Sequence, residues 1–238
     1  MDYKLIAMDL DGTLTQHRSK LNPSNREVLD ALGKNYSLVI VAAGSCKRVF
    51  EQMDRYQVDI IGNYGIQETS IINNELVYQK AERYEVDKQY FIERTKDIRS
   101  KYGYEEYTGE SVEFHDSGVV TLPLLGTEAN IQDKLKFDPD GKKRSFMYDY
   151  VSSQFSDYNC FIGGSSSFDI VSRRYDKAKA LEDYCTRKGI DFDRVLYVGD
   201  DFKKGGNDEP IVHSPFDYLV IKDYSCVGTD LKNAGVLR

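Results

Sequence analysis

Lys4-Leu5-Ile6-Ala7-Met8-Asp9-Leu10-Asp11-Gly12-Thr13-Leu14-Thr15 is the stretch from which the rest of the chain can be placed. It starts as a short apolar run, the pattern of a strand buried on both faces of a parallel sheet, and ends in two carboxylates spaced i, i+2 before Gly-Thr. Both acids therefore leave the C-terminal end of the strand, the edge at which open α/β sheets bind ligands. Residues two apart on a strand share a face, so the spacing predicts that Asp9 and Asp11 point the same way. Such a pair can hold Mg²⁺, a hard cation that takes oxygen ligands, and can divide nucleophilic attack from proton transfer. A bare Asp-x-Asp is also compatible with a solvated loop turned by Gly12.

Downstream, Asn22-Pro23-Ser24 reads as a helix start with Val28, Leu29 and Leu32 as its apolar stripe and Gly33 as its stop. Ser37 to Ala42 reads as a second buried strand running into Ala43-Gly44-Ser45 and a helix with Val49, Phe50 and Met53 on one face. Strand, Gly turn and Ser at a helix N-terminus form an anion site, although the tripeptide alone favours reading Ser45 as an N-cap only. Val58 to Ile61 reads as a third strand, followed by a hairpin turning at Asn73-Asn74. From about residue 82 the composition shifts to charge and Tyr, with Tyr90, Phe91, Ile98 and Tyr102 at helical spacing, then short strands, a helix near 138–155, and strands at 160–162 and 167–171. The parallel pattern resumes with a helix from Asp176-Lys177 to Gly189, the apolar run Val195 to Val198 ending in Gly199-Asp200-Asp201, the loop Gly205-Gly206-Asn207-Asp208, and a last strand at 218–221. The domain expectation is a core over 1–79 and 175–238 interrupted by an inserted α+β domain over 80–174. A lysine in the first turn of a helix opposes the helix dipole, which marks Lys177 as placed for something other than helix stability.

At 238 residues and a formal net charge of −7, the chain is long enough to bury a proper core. No stretch approaches the roughly eighteen apolar residues of a membrane span. The N-terminus has no basic segment followed by an apolar run, so the sequence predicts a soluble cytoplasmic protein without a membrane partner. The acidic balance argues against a nucleic-acid surface, which needs clustered Lys and Arg. Cys46, Cys160, Cys185 and Cys226 are dispersed and read as reduced thiols rather than a zinc site.

The phrase Asp9-Leu10-Asp11-Gly12-Thr13-Leu14-Thr15 resembles the first signature of the haloacid dehalogenase superfamily, and Gly44-Ser45, Lys177, and Gly199-Asp200 with Asn207-Asp208 resemble the other three in order. The insertion lies where the type II caps of that superfamily sit. Arg18, Ala43-Gly44-Ser45, Gly163-Gly164 leading to Ser167-Phe168-Asp169, and Tyr175-Asp176-Lys177 further resemble the eukaryotic-type phosphomannomutases. The resemblance implies an α/β fold, a Rossmann-like core with a parallel sheet plus an inserted α+β cap. It implies a nucleophilic Asp9, a general acid/base Asp11 and a charge-screening Lys177. Mg²⁺ would be held among Asp9, Asp11, Asp200, Asn207 and Asp208, with phosphate and substrate contacts from Gly44, Ser45, Arg18, Lys134, Ser167 and Asp169.

The departures bear on activity. Phosphomannomutases grip the non-reacting phosphate with cap arginines, one of which follows a Glu-Phe pair; here Glu113-Phe114 is followed by His115. Another follows a Pro-x-Gly turn, and here Leu125-Gly126 leads to Thr127. Lys134 occupies a third position with a point charge in place of a planar fork. The expectation is therefore a Mg²⁺-dependent phosphohydrolase of a small phosphorylated sugar or polyol, with a phosphosugar mutase as the alternative and either a monomer or a cap-mediated homodimer. A non-enzymatic binding protein on the same scaffold has no need of a nucleophile, a proton shuttle and a charge screen together.

Overall fold

The computed structural model describes residues 2–237. The chain divides into two compact units: the first runs to Ala81 and resumes over Asp176–Lys203 and from Asp208, and the second comprises Glu82–Tyr175 with Lys204–Asn207. The first unit begins with β1 (Leu5–Met8), α1 (Pro23–Leu32), β2 (Ser37–Val41), α2 (Cys46–Gln52), β3 (Asp59–Gly62), β4 (Gln67–Ile72) and β5 (Glu75–Ala81). The Asn22 side chain caps α1 by accepting from Asn25 N, and Pro23 opens the helix where its missing N–H is not needed. Asn73 and Asn74 both take positive φ, which gives β4 and β5 the tight turn that the sequence announces.

The second unit follows with α3 (Lys88–Tyr102), β6 (Glu113–Phe114), β7 (Val120–Pro123), α4 (Ile131–Phe137), α5 (Lys142–Gln154), β8 (Tyr158–Gly163) and β9 (Ser167–Ser172). Its four strands form an antiparallel sheet in the order β6-β7-β9-β8. Phe91 and Ile98 of α3 and Met147 and Val151 of α5 pack with Val120, Leu122, Phe168 and Ile170 in one core. Strand alternation sends Thr121 and Asp169, which face each other across β7 and β9, to the opposite side of the sheet. The helix expected over 138–155 begins only at Lys142, because Asp138 turns back to accept from the backbone N–H groups of Lys143 and Arg144. Residues 204–207, which the sequence places with the core, group instead with this unit, where Gly205 O accepts from Ile162 N at 2.7 Å.

The first unit then continues through α6 (Lys177–Lys188), β10 (Val195–Gly199), α7 (Glu209–Val212), β11 (Asp217–Val220) and α8 (Val227–Asn233). Its sheet has seven strands in the order β11-β10-β1-β2-β3-β4-β5. The five strands from β11 to β3 are parallel, and β4 and β5 extend the sheet antiparallel. β1 is buried along its whole length and feeds both faces: Ile6 and Met8 join the core with Leu29, Val49 and Leu231, while Leu5 and Ala7 join Ala178, Leu181 and Tyr197. This placement puts the ends of β1 and β10 side by side, with Met8 opposite Val198.

Candidate active site

β1 stops at Met8, so the two acids lie beyond the ladder and the alternation expected to aim them alike does not reach Asp11. Asp9 remains in line with the sheet, its N–H donating to Val198 O at 2.9 Å, and is 4% exposed. From Leu10 the chain turns sharply, with Leu14 N and Thr15 N both donating to Leu10 O. Gly12 takes φ +99° in this turn, and a Cβ there would collide with the Asp200 carboxylate. Only glycine brings the loop so close. Thr13 Oγ1 then donates to Asp200 Oδ1 at 3.0 Å.

Lys177 enters from the first turn of α6, fully buried, and its Nζ donates to Asp9 Oδ1 at 2.6 Å and to Asp208 Oδ1 at 2.7 Å. Asp208 is a hub. Its Oδ1 also accepts from Tyr197 Oη at 2.5 Å, and its Oδ2 accepts from the backbone N–H groups of Asp200 and Asp201, each at 3.1 Å. The turn after β10 is thereby pinned so that one carboxylate oxygen from each of Asp9, Asp200 and Asp208 lies within 4.8 Å of the others. Burial drives the Asp9 carboxyl well above the ordinary carboxylate range, with the Asp208 and Asp200 charges adding to it against the pull of Lys177. Burial and then Asp208 push Asp200 to about 6. Burial alone would discharge Lys177, but Asp208 and Asp9 outweigh it and hold the ammonium charged.

Three crowded carboxylates face one ammonium, a deficit of two positive charges in a hard-oxygen setting. A divalent cation of the Mg²⁺ type balances it, and the residues present fit such an ion. The Asp208 oxygens are already engaged by four donors, which leaves Asp9 and Asp200 with the freer lone pairs.

The Asp11 carboxylate is outside this cluster. It accepts from Arg18 N at 2.8 Å and Gln52 Nε2 at 2.7 Å on Oδ1, and from Arg48 at 3.0 Å on Oδ2. Burial pushes its pKa up, but the Arg48 guanidinium, with His17 and these hydrogen bonds, brings it down to about 2. Arg18 contributes its backbone here, at φ 56°. Ser45 acts as the N-cap of α2, accepting from Arg48 N at 3.3 Å, and Gly44 lies directly against the Arg48 guanidinium. One first-turn donor of α2, Cys46 N, is taken by Gln67 Oε1 at 3.0 Å.

In the second unit, Ser167 Oγ donates to Gly163 O at 2.9 Å, and Asp169 Oδ1 accepts from Thr121 Oγ1 at 2.9 Å. His115 Nε2 lies 3.0 Å from the same Thr121 oxygen. The buried Arg144, paired with Asp138 at 2.8 Å, fixes the turn before Ser167 by donating to Gly163 O and Gly164 O. Lys134 Nζ donates to Thr127 O at 2.9 Å, and Thr127 Oγ1 accepts from Glu110 N at 2.8 Å. Asn207 belongs to the stretch that groups with this unit.

Sequence reasoning missed Arg48, Gln52 and Tyr197. Arg48 carried a usable signal, the same one that marks Lys177: a cation in the first turn of a helix, against the dipole.

Residues 6–210 match the model of a family described as haloacid dehalogenase-like hydrolase. The phosphomannomutase of Schizosaccharomyces pombe is 27% identical over 228 residues, covering 89% of this chain and 86% of that protein. Among solved structures, IMP-bound Plasmodium falciparum IMP-nucleotidase superposes with a TM-score of 0.67 at 14% identity, covering 99% of this chain and 68% of that one. A Thermoplasma acidophilum protein superposes with a TM-score of 0.61 at 15% identity over the full length of both chains.

Proposed function

Since the chain belongs to the haloacid dehalogenase-like hydrolase family, we propose that it hydrolyses the phosphate ester of a small sugar or polyol through an aspartyl phosphate on Asp9. The observation that carries this reading is the buried Asp9–Lys177–Asp208 constellation, a nucleophile, its charge screen and the anchor of both, with Asp200 beside it. Lys177 occupies Asp9 Oδ1, so Oδ2 is the oxygen that attacks phosphorus. Asp9 would bond to phosphorus as the ester oxygen leaves with a proton from Asp11. Asp11 would then take a proton from water as that water releases phosphate and restores Asp9. Its ionised state beside Arg48 is the form that the second step uses, whereas the first step needs the protonated form, which the Arg48 contact disfavours. Asp9 and Asp200, with Asp208 behind them, would hold Mg²⁺, which when bound supplies electrostatic stabilisation of the phosphoryl oxygens. Lys177 adds to that stabilisation, and we assign Gly44 and Ser45, with Arg18, to the reacting phosphate.

In the second unit we assign Ser167 and Asp169 to sugar hydroxyls. A mutase must grip a second phosphate there, and three features weigh against it. His115 joins a chain leading to the Asp169 carboxylate, Thr127 is spent on the Glu110 backbone, and Lys134 donates to a main-chain carbonyl. The mutase reading keeps in its favour the name borne by the S. pombe relative and the phosphomannomutase-like stretches around Arg18, Ser45, Ser167 and Lys177. A ³¹P NMR time course on mannose 1-phosphate with Mg²⁺, with and without glucose 1,6-bisphosphate, separates the two. The hydrolase reading expects inorganic phosphate first; mannose 6-phosphate accumulating ahead of it would replace that reading with the mutase.

A further inference from the structure

Asp11 sits on a loop, beyond the reach of the strand ladder, and its carboxylate takes its direction from the Arg18 N–H, 2.8 Å from Oδ1, and from side chains. Two of them are on α2, one helical turn apart. Arg48 Nη1 donates to Gln52 Oε1 at 2.7 Å, Arg48 Nη2 to Asp11 Oδ2 at 3.0 Å, and Gln52 Nε2 to Asp11 Oδ1 at 2.7 Å, which closes a ring of three side chains. The second hydrogen of the Gln52 amide goes to Thr15 Oγ1 at 2.9 Å, and that hydroxyl donates to Leu10 O. The ring is thus tied to the loop that carries Asp11. Gln52 is 8% exposed and α2 is anchored by the buried Val49, Phe50 and Met53, so the clasp rests on a fixed element. A guanidinium whose job was to receive phosphate would keep its fork open, whereas this one spends one prong on Gln52 and the other on Asp11.

We propose that Arg48 and Gln52 are positioning residues that hold the Asp11 carboxylate in its working orientation, and that Arg48 acts through Asp11 rather than as a phosphate ligand. The proposal rests on the hydrolase reading for what Asp11 does, and on the clasp alone for where it points. Arg48→Met or Gln52→Leu should lower kcat by roughly 10- to 100-fold, a part of what a positioned acid/base contributes. KM and the affinity for inorganic phosphate should stay within about threefold of wild type. In an Asp11→Asn background either substitution should cost less than about threefold more, because the group it positions is already gone.

Full multiplication of the two losses, or a tenfold or greater drop in phosphate affinity for Arg48→Met, would overturn the proposal. Crystal structures of both variants give a readout free of turnover. The Asp11 side chain is expected to leave the position it holds here, and an unmoved carboxylate in both would also overturn the clasp. A wild-type protein inert on every phosphomonoester would defeat the hydrolase reading instead, and the crystal structures would still decide the clasp.

Discussion

Lys177 Nζ and Asp208 Oδ1 are 2.7 Å apart with neither side chain reaching solvent, and the same ammonium lies 2.6 Å from Asp9. One buried cation therefore serves three mutually repelling acids. Removing one partner of a buried ion pair costs roughly 3–5 kcal/mol, chiefly because the other charge is left uncompensated. Lys177→Met should lose stability of that order at pH 7.5 in urea titrations and recover part of it at pH 5.5, where Asp200, raised to about 6, takes up a proton. A Lys177→Met protein as stable as wild type at both pH values would mean that the ammonium is not what makes the cluster tolerable.

The metal-free protein should respond to pH in a definite direction. Asp200 titrates at about 6 in the folded chain against an ordinary 3.8. A carboxyl with a raised folded pKa contributes its stability below the unfolded value and loses it as pH climbs through the folded one. A cation that binds the ionised cluster offsets that loss. Mg²⁺ should accordingly raise the melting temperature more at pH 7.5 than at pH 5 in calorimetry; equal shifts would contradict the assignment of the cluster as its site.

Asp9→Asn should abolish turnover while leaving the protein folded, since the amide oxygen still accepts from Lys177 but is a poor nucleophile. Burial already pushes the Asp9 carboxyl far above its usual range. Without Mg²⁺ at pH 7.5 the variant should therefore melt at or above the wild-type temperature. A variant that turns over normally, or that melts well below wild type, would count against the site as described.

Arg99 is a buried cation of another kind, 3% exposed, donating to the main-chain carbonyls of Tyr104, Ser111, Pro123 and Leu124, while its Nε has no hydrogen-bond partner among the described residues. It stitches the segment after α3 to the end of β7. Pro123 O keeps the Gly126 N–H and the part-buried Tyr104 and Ser111 carbonyls can turn to water, so Arg99→Met leaves Leu124 O short of a donor and should cost about 1–3 kcal/mol, the range for one group left unsatisfied. Faster amide exchange confined to residues 104–124 is the expected signature, and unchanged exchange there would refute the stitch.

Much of the site was legible because the strands beneath it are. β1, β2 and β10 are unbroken apolar runs, and a sheet buried on both faces requires that composition. Lys177 was legible as a violation of helix electrostatics, Asp9 and Asp200 as acids at strand ends, and Asp208 as part of a loop dense in oxygen ligands. The direction of Asp11 was not, since it depends on β1 stopping at Met8 and on two residues of α2, of which only Arg48 carries a signal, and that signal does not name Asp11 as its partner. In the second unit β6 has only two residues, too short to show a period, and α4 has no fully buried residue and hence no apolar stripe to find.

β1 lies between β2, close behind it in the chain, and β10, with Leu5 paired to Ser37 on one side and to Val195 on the other. During synthesis β1 emerges well before β10 and waits, half-paired, until that strand is translated. Asp9 meets Lys177 and Asp208 only after both have been translated, so the charge cluster closes around it late. Nascent chains stalled before Val195 should leave Leu5–Val41 open to protease, and chains extended past Val220 should close it.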